Sequence, residues 1–210
     1  MAAAPRPSFG VVVPVRAFRE GGTRLAPGLG PDDRAALTRH LADRVAAAAD
    51  GAPVVVVSSA PEVLAWADAL GVATAPDPGS LDAAARTGAG VLAGLGCRRT
   101  VIAHADLPDV TTFLPVARDA GVPVAVVVPC HRNDGTPVLA LPTAAAVEFA
   151  FAYGPGSFRR HVAAAHAAGL GVRVVRDRRL AFDVDTPDDL AHLVGRDPGL
   201  LPGWVPVSAP

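Results

Sequence analysis

The feature that most limits how this chain can fold is a series of short, β-branched apolar runs, each followed by a longer stretch with helical spacing. Phe9–Val15 (FGVVVPV), Pro53–Ser58 (PVVVVS), Thr100–Ala103 and Val122–Pro129 have almost no polar positions. They lack the alternation of a strand with one wet face and read as strands buried on both sides. Val72–Ala75, Val138–Leu141, Val172–Val175 and Leu180–Phe182 are shorter candidates. Between them, Pro31–Ala49 carries Leu37, Leu41 and Val45 four apart, which is one helical face. Pro61–Leu70 reads as a helix stopped by Gly71, and Ser80 caps a helix running to Leu95. Thr111–Ala120, Gly156–Ala168 and Thr186–Val194 complete the helical set, the last with Pro187 at its first position and Asp188 and Asp189 in its first turn. Strands alternating with helices predict an α/β fold, a single three-layer domain around a mostly parallel central sheet. In such sheets ligands sit beyond the carboxyl ends of the strands. The loop Arg16–Pro31 and Asp106 occupy those ends after the Phe9–Val15 and Thr100–Ala103 runs.

With 210 residues, half of them hydrophobic, the chain has material for one core. The expected domain covers 1–195, followed by a Pro/Gly-rich tail over 196–210. Nineteen basic residues against 20 acidic ones give a formal charge of -1, so no basic field exists to hold a nucleic-acid backbone or an anionic membrane surface. No run of 18 apolar residues and no secretory leader pattern is present, and a cytoplasmic location is expected. All the basic residues are arginine, so no lysine takes part in chemistry. Cys97 and Cys130 have no ligand-spaced partners and are expected to be buried, reduced thiols.

Three aspartates stand at strand or helix boundaries. Asp106 ends an apolar strand before Leu107-Pro108, and Asp183-Val184-Asp185 precedes the last helix. In an extended segment Asp183 and Asp185 face one way and repel each other unless a cation or donors lie between them. Three converging carboxylates would suit Mg2+, a hard ion that keeps waters and binds phosphate oxygens. The plainer alternative is capping: Asp185 or Thr186 on the final helix, and Asp106 closing a turn before Pro108. The loop Gly21-Gly22-Thr23-Arg24 exposes backbone N–H groups and a guanidinium suited to phosphates, or it is only a turn. Asn133-Asp134-Gly135-Thr136 is a polar loop. Tyr153-Gly154-Pro155-Gly156-Ser157 opens a helix followed by Phe158-Arg159-Arg160-His161; it is an anion site, or Ser157 is only an N-cap. His161 and His166, five apart, are expected to be ordinary surface or half-buried residues, whereas His104 lies near Asp106.

Taken in order, the RLAP loop (Arg24–Pro27), the ADLP turn (Ala105–Pro108), the Gly135-Thr136 loop, YGPGSFRRH (Tyr153–His161) and DVDTPDDL (Asp183–Leu190) resemble the 2-phospho-L-lactate guanylyltransferase family (CofC/FbiD) of coenzyme F-420 biosynthesis. The resemblance spans about Phe9 to Leu193. It implies a nucleotide-diphospho-sugar-transferase-like fold. It also implies transfer of GMP from GTP to phosphoenolpyruvate, 2-phospho-L-lactate or 3-phospho-D-glycerate with release of pyrophosphate. By the same resemblance Asp106, Asp183 and Asp185 hold Mg2+ and act in catalysis with Arg24. Thr136, Gly154 and Ser157 hold the small phosphorylated acid, and Arg16, Gly22, Thr23, Arg24 and Asp82 stand where the nucleotide binds. A downstream F-420 transferase is the implied recipient of the product. The chain departs from the family pattern in four places. Gly22 replaces a lysine, Arg16 replaces a lysine near the end of the first strand, Asp82 replaces an asparagine, and Pro137 follows the GT loop. Two alternatives share these residues: a nucleotidyltransferase of the same fold with another nucleotide or acceptor, and a non-catalytic relative that binds a nucleotide or phospho-acid.

Overall fold

The computed structural model describes residues 7–26, 28–118, 123–197 and 199–201. In chain order its elements are β1 (Gly10–Pro14), α1 (Pro31–Ala47), β2 (Val54–Val57), α2 (Pro61–Ala69), β3 (Ala73–Ala75), α3 (Leu81–Gly94), β4 (Arg99–Ala103) and α4 (Leu114–Ala117). The second half continues with β5 (Val124–Val128), β6 (Val138–Pro142), α5 (Thr143–Ala146), α6 (Ser157–Ala167), β7 (Gly171–Val174), α7 (Arg178–Ala181) and α8 (Pro187–Arg196).

The strands form one seven-stranded sheet in the order β3-β2-β1-β4-β6-β5-β7. Among the described residues every strand pairing is parallel except those of β6, which runs antiparallel to both β4 and β5. Alternate residues of each central strand enter opposite cores. Val11, Val13, Val54, Val56, Val101 and Val126 pack on one face with Val45 of α1 and Trp66 of α2. Val12, Val55, Ile102, Val127 and Leu139 pack on the other with Leu92 of α3 and Ala165 of α6. That is why the apolar runs lack alternation: both strand faces are dry. Helix α3 crosses β1 so closely that a Cβ on Gly88 would lie 2.3 Å from Val12 Cγ1.

Two expectations change. Leu180–Phe182 is not a strand; the one-turn helix α7 forms there because Asp177 Oδ1 accepts a hydrogen bond from the Arg179 backbone N–H at 2.8 Å and starts a turn. The helix expected over Thr111–Ala120 contracts to α4, and residues 119 and 120, like the start of the strand expected from Val122, lie outside the described residues. In the region expected to be a tail, α8 runs on to Arg196, and 202–210 lie outside the described residues. Both cysteines are free and buried.

A third apolar cluster positions the site. Leu25 and Leu29 of the Gly-rich loop, Leu37 and Leu41 of α1, Val184, and Leu190 and Leu193 of α8 pack together. It fastens the loop after β1 to the Asp183–Asp185 segment.

Candidate active site

Beyond the carboxyl ends of β1, β2 and β4 lies a cavity of about 350 Å³. Its lining includes Arg16, Gly21, Gly22, His104, Asp106 and Asp185. The loop after β1 folds into two 3₁₀ turns, Phe18–Glu20 and Thr23–Leu25, with Gly22 between them at φ +59. A left-handed residue is needed there, which favours glycine over the lysine of the family pattern. Burial of Leu25 turns the exposed Thr23 and Arg24 outward, and the Arg24 guanidinium pairs with the Asp185 carboxylate.

The two acidic segments meet through the backbone: Val184 N–H donates to Asp106 C=O at 3.1 Å. Asp106 closes no turn through its side chain. Its Oδ1 is shut off from solvent and has no hydrogen-bond partner. Burial, then the charge of Asp183 and that of Asp185, push its carboxyl up to about 7. Asp183 is also raised, first by burial, although Arg132 and His131 oppose the rise. His131 Nδ1 stands 3.2 Å from Asp183 Oδ1 and Arg132 Nη2 stands 3.5 Å from it. Arg132 Nη2 also approaches Asp185 at 3.7 Å. The predicted trio is therefore adjacent and mutually repelling, yet not drawn into one cage. Among the described residues no group of three or more His, Cys, Asp or Glu side chains is gathered as a metal site. Asp106 and Asp185 face the cavity, while Asp183 is turned to His131 and Arg132.

Asp189 holds this arrangement from behind. It is 6% exposed. Its Oδ2 accepts from the backbone N–H of Thr186 at 2.8 Å and of Asp185 at 3.2 Å, and from Thr186 Oγ1 at 2.8 Å. Arg132 Nη1 donates to both its oxygens, at 3.1 and 2.9 Å. Burial works against the charge, but the hydrogen bonds from Thr186, Arg132 and the backbone outweigh it and hold the carboxyl below the usual range. Thr186 is the N-cap of α8, in a reciprocal capping box with Asp189, so the capping alternative holds for Thr186 and not for Asp185.

The predicted acceptor residues form a second group beside the first. Thr136 and Ser157 are 1% and 2% exposed. Ser157 Oγ donates to Thr136 Oγ1 at 3.4 Å. Ser157 is not the cap of α6; Gly156 takes that place at φ +72, and its N–H donates to Asp134 Oδ1 at 3.0 Å. Gly154 sits at φ +100 in the same exposed loop. His161 is not a surface residue. It is fully buried, with Nδ1 3.0 Å from Thr136 Oγ1 and Nε2 accepting from Ala152 N–H at 3.0 Å. The signal was available in the sequence: Ser157, His161 and Ala165 fall four apart on one helical face, and all three are buried. The two groups adjoin, since His104 N–H donates to Pro137 C=O at 2.9 Å and the His104 and Tyr153 rings lie 5.4 Å apart.

Asp82 does not line the cavity. Its Oδ1 accepts from Tyr153 N–H at 2.7 Å, tying the start of α3 to the acceptor loop. His131 and Arg132 were not singled out from the sequence. Their signal was position, at the carboxyl end of β5, where the strand-end rule applies again. A wider groove of about 930 Å³ on the far side of His131 is lined by Arg44, Arg176, Arg178, Arg179 and Arg196, and none of the predicted site residues faces it.

A mostly parallel sheet with acidic residues and a Gly-rich loop at its carboxyl edge is the architecture of the nucleotide-diphospho-sugar-transferase-like class. The same fold recurs in a protein of Desulfovibrio desulfuricans G20 described as a nucleotide-diphospho-sugar transferase, with a TM-score of 0.74 and 19% identity over 91% of this chain and 88% of that one. It recurs too in CMP:2-keto-3-deoxy-manno-octonic acid synthetase complexed with CTP, with a TM-score of 0.57 and 18% identity over 92% of this chain and 99% of that one. The chain belongs to the family described as "Guanylyl transferase CofC like", which matches residues 9–197. It is 40% identical to the phosphoenolpyruvate guanylyltransferase of Rubrobacter xylanophilus over 87% of this chain and 91% of the relative. It is 30% identical to the 2-phospho-L-lactate guanylyltransferase of Methanothermobacter thermautotrophicus, covering 87% and 82%. No helix among the described residues is long and apolar enough to cross a membrane.

Proposed function

We propose that this nucleotidyltransferase moves GMP from GTP to the phosphate of phosphoenolpyruvate or 2-phospho-L-lactate, as a cytoplasmic step of coenzyme F-420 assembly whose product passes to a downstream transferase. An oxygen of the acceptor phosphate bonds to the α-phosphorus of GTP, the bond to the β-phosphate bridge breaks, and pyrophosphate leaves. The attacking oxygen is already ionised, so no general base is required. What the protein must overcome is repulsion between two anions, through positioning and charge.

The observation that carries this reading is the Asp106 carboxylate. It faces the cavity beside Asp185 and the Gly21–Gly22 loop, with one oxygen buried and unpartnered and its charge opposed by Asp183 and Asp185. A carboxylate so placed fits a cation. Mg2+ is held by as few as one or two carboxylates together with waters and substrate phosphates. Asp106 and Asp185 would therefore hold it, with Asp183 behind them. When bound, the ion would neutralise phosphate charge and stabilise the leaving pyrophosphate.

The chain's own groups do the rest. Arg16 lines the cavity and presents a cation to the triphosphate, in the role that Gly22 gives up. Arg24, now on Asp185, is long and exposed enough to exchange that carboxylate for a phosphate. Arg132 and Asp189 keep the Asp183–Asp185 segment in place. Thr136, Gly154 and Ser157 form the acceptor side, and Asp82 fixes the loop that carries it.

The test is pyrophosphate release from GTP, with Mg2+ and each of the three acceptors offered in turn. Release with phosphoenolpyruvate or 2-phospho-L-lactate, abolished by a chelator, is expected. Folded protein that releases none with any acceptor would overturn the assignment.

A further inference from the structure

His161 is the one fully buried ionisable side chain of α6, and the chemistry above gives it no task. Burial of an imidazole without a purpose is costly, and every polar atom of this one is engaged. Ala152 N–H, which can only donate, lies 3.0 Å from Nε2. Nε2 must therefore be the unprotonated nitrogen, and in the neutral ring the proton resides on Nδ1. Burial lowers the pKa of His161 to about 4, which keeps the ring neutral near pH 7. Nδ1–H then donates to Thr136 Oγ1 at 3.0 Å, and Ser157 Oγ–H approaches the same oxygen at 3.4 Å. The Thr136 oxygen therefore acts as the acceptor toward both neighbours, chiefly toward His161. Its own hydrogen is directed to neither neighbour.

We infer that His161 is a positioning residue of the acceptor site: it relays the fixed polarity of the Ala152 N–H to Thr136, so that the Thr136 hydroxyl hydrogen is presented as a donor to an oxygen of the phosphorylated acid. This rests on the proposed function, because it takes the acid to bind against Thr136. A hydroxyl locked as a donor favours an anionic oxygen and disfavours a ligand that offers only N–H or O–H hydrogens. Shielding Thr136 from water strengthens such a bond. The ring is also held in one orientation, with Tyr153 edge-on at 4.6 Å between centroids and Phe149 at 6.2 Å. A single imidazole thus links the Ala152–Tyr153 backbone, the start of α6 and the Gly135–Thr136 loop.

The two ring nitrogens can be removed separately. In His161→Gln the longer amide oxygen takes the place of Nε2 and accepts from Ala152 N–H, and the donor to Thr136 is lost. In His161→Asn the shorter amide NH2 takes the place of Nδ1 and donates to Thr136, and the acceptor for Ala152 is lost. We expect His161→Gln to raise KM for the phospho-acid about tenfold or more, the scale of one hydrogen bond to a charged ligand, with KM for GTP unchanged. His161→Asn should stay within about threefold of the parent in acceptor KM but melt at a lower temperature. Calorimetric titration of phosphoenolpyruvate and of 2-phospho-L-lactate into the parent and both variants reads binding without turnover. An unchanged acceptor KM and affinity in His161→Gln overturns the inference. So does a parallel change in the KM of acid and GTP that follows melting temperature in both variants, which is the signature of a merely structural histidine. A parent that neither turns over nor binds either acid overturns the functional reading itself, and this inference with it.

Discussion

Replacing Asp106 with asparagine should stabilise the protein while destroying its activity. The unfolded carboxyl titrates near 3.8 and the folded one near 7, so folding at pH 8 forces an unfavourable charge into the site. A difference of roughly 3 pKa units corresponds to about 4 kcal/mol at most. Asp106 is half-buried rather than sealed, so solvent relaxation reduces this to about 1–3 kcal/mol. The sign follows from proton binding. Between pH 3.8 and about 7 the folded chain keeps a proton that the unfolded chain has lost, so this group's contribution to stability falls as pH rises through that window. The penalty is complete above pH 7 and absent below the unfolded value. Asp106→Asn keeps the shape and removes the charge. At pH 8 its melting temperature should exceed the parent's by about 2–12 °C, at the usual 2–4 °C per kcal/mol for a domain of this size. At pH 4.5 about a quarter of that gain should remain. Mg2+ should raise the parent's melting temperature at pH 8 and narrow the gap. A variant less stable than the parent at pH 8, or a gap independent of pH, would refute the claim that the Asp106 charge is unfavourable in the fold, with one oxygen buried and unpartnered.

Other consequences are simpler to read. Arg132→Ala leaves the buried Asp189 without its two-pronged partner and should cost about 1–2 kcal/mol in denaturant unfolding, with the larger effect on pyrophosphate release. Thr186→Ala removes the cap of α8 and should cost about 1 kcal/mol in the same measurement. Gly88→Ala drives a methyl against the buried Val12 and should destabilise by about 1–3 kcal/mol despite alanine's better helix propensity; an unchanged melting temperature would show that α3 can shift away from β1. Arg24→Ala should raise KM for GTP more than KM for the acceptor in steady-state assays.

The layered architecture was legible because its central strands are dry on both faces, which leaves unbroken runs such as Val54–Val57 with no competing periodicity. Helix α8 was legible from Thr186 and Pro187, whose roles are set by the backbone beside them. The reversed direction of β6 was not, because nothing within Val138–Pro142 encodes which way its neighbours run. Three apolar residues at Leu180–Phe182 carry no period, and a single side-chain cap from Asp177 was enough to make a turn of helix there. Helix α5, Thr143–Ala146, is too short to show one. In the site, position could be read but partnership could not. Asp106, Arg16 and Gly22 share a cavity, as their places at strand ends suggested, and Asp185, which precedes the last helix, joins them there. That Asp82 would bind Tyr153, 71 residues away, depends on how α3 and the acceptor loop dock. The same is true of His131 and Arg132, which reach Asp183 only because β5 and α7 bring their loops together.

Group transfer itself can be followed most directly with GTP labelled at the α-phosphorus, incubated with the protein, Mg2+ and phosphoenolpyruvate or 2-phospho-L-lactate. The account predicts that the label leaves GTP bonded to the acid's phosphate, in amounts equal to the unlabelled pyrophosphate released. Label that stays in GTP with every acceptor, or that appears as free GMP, would contradict it.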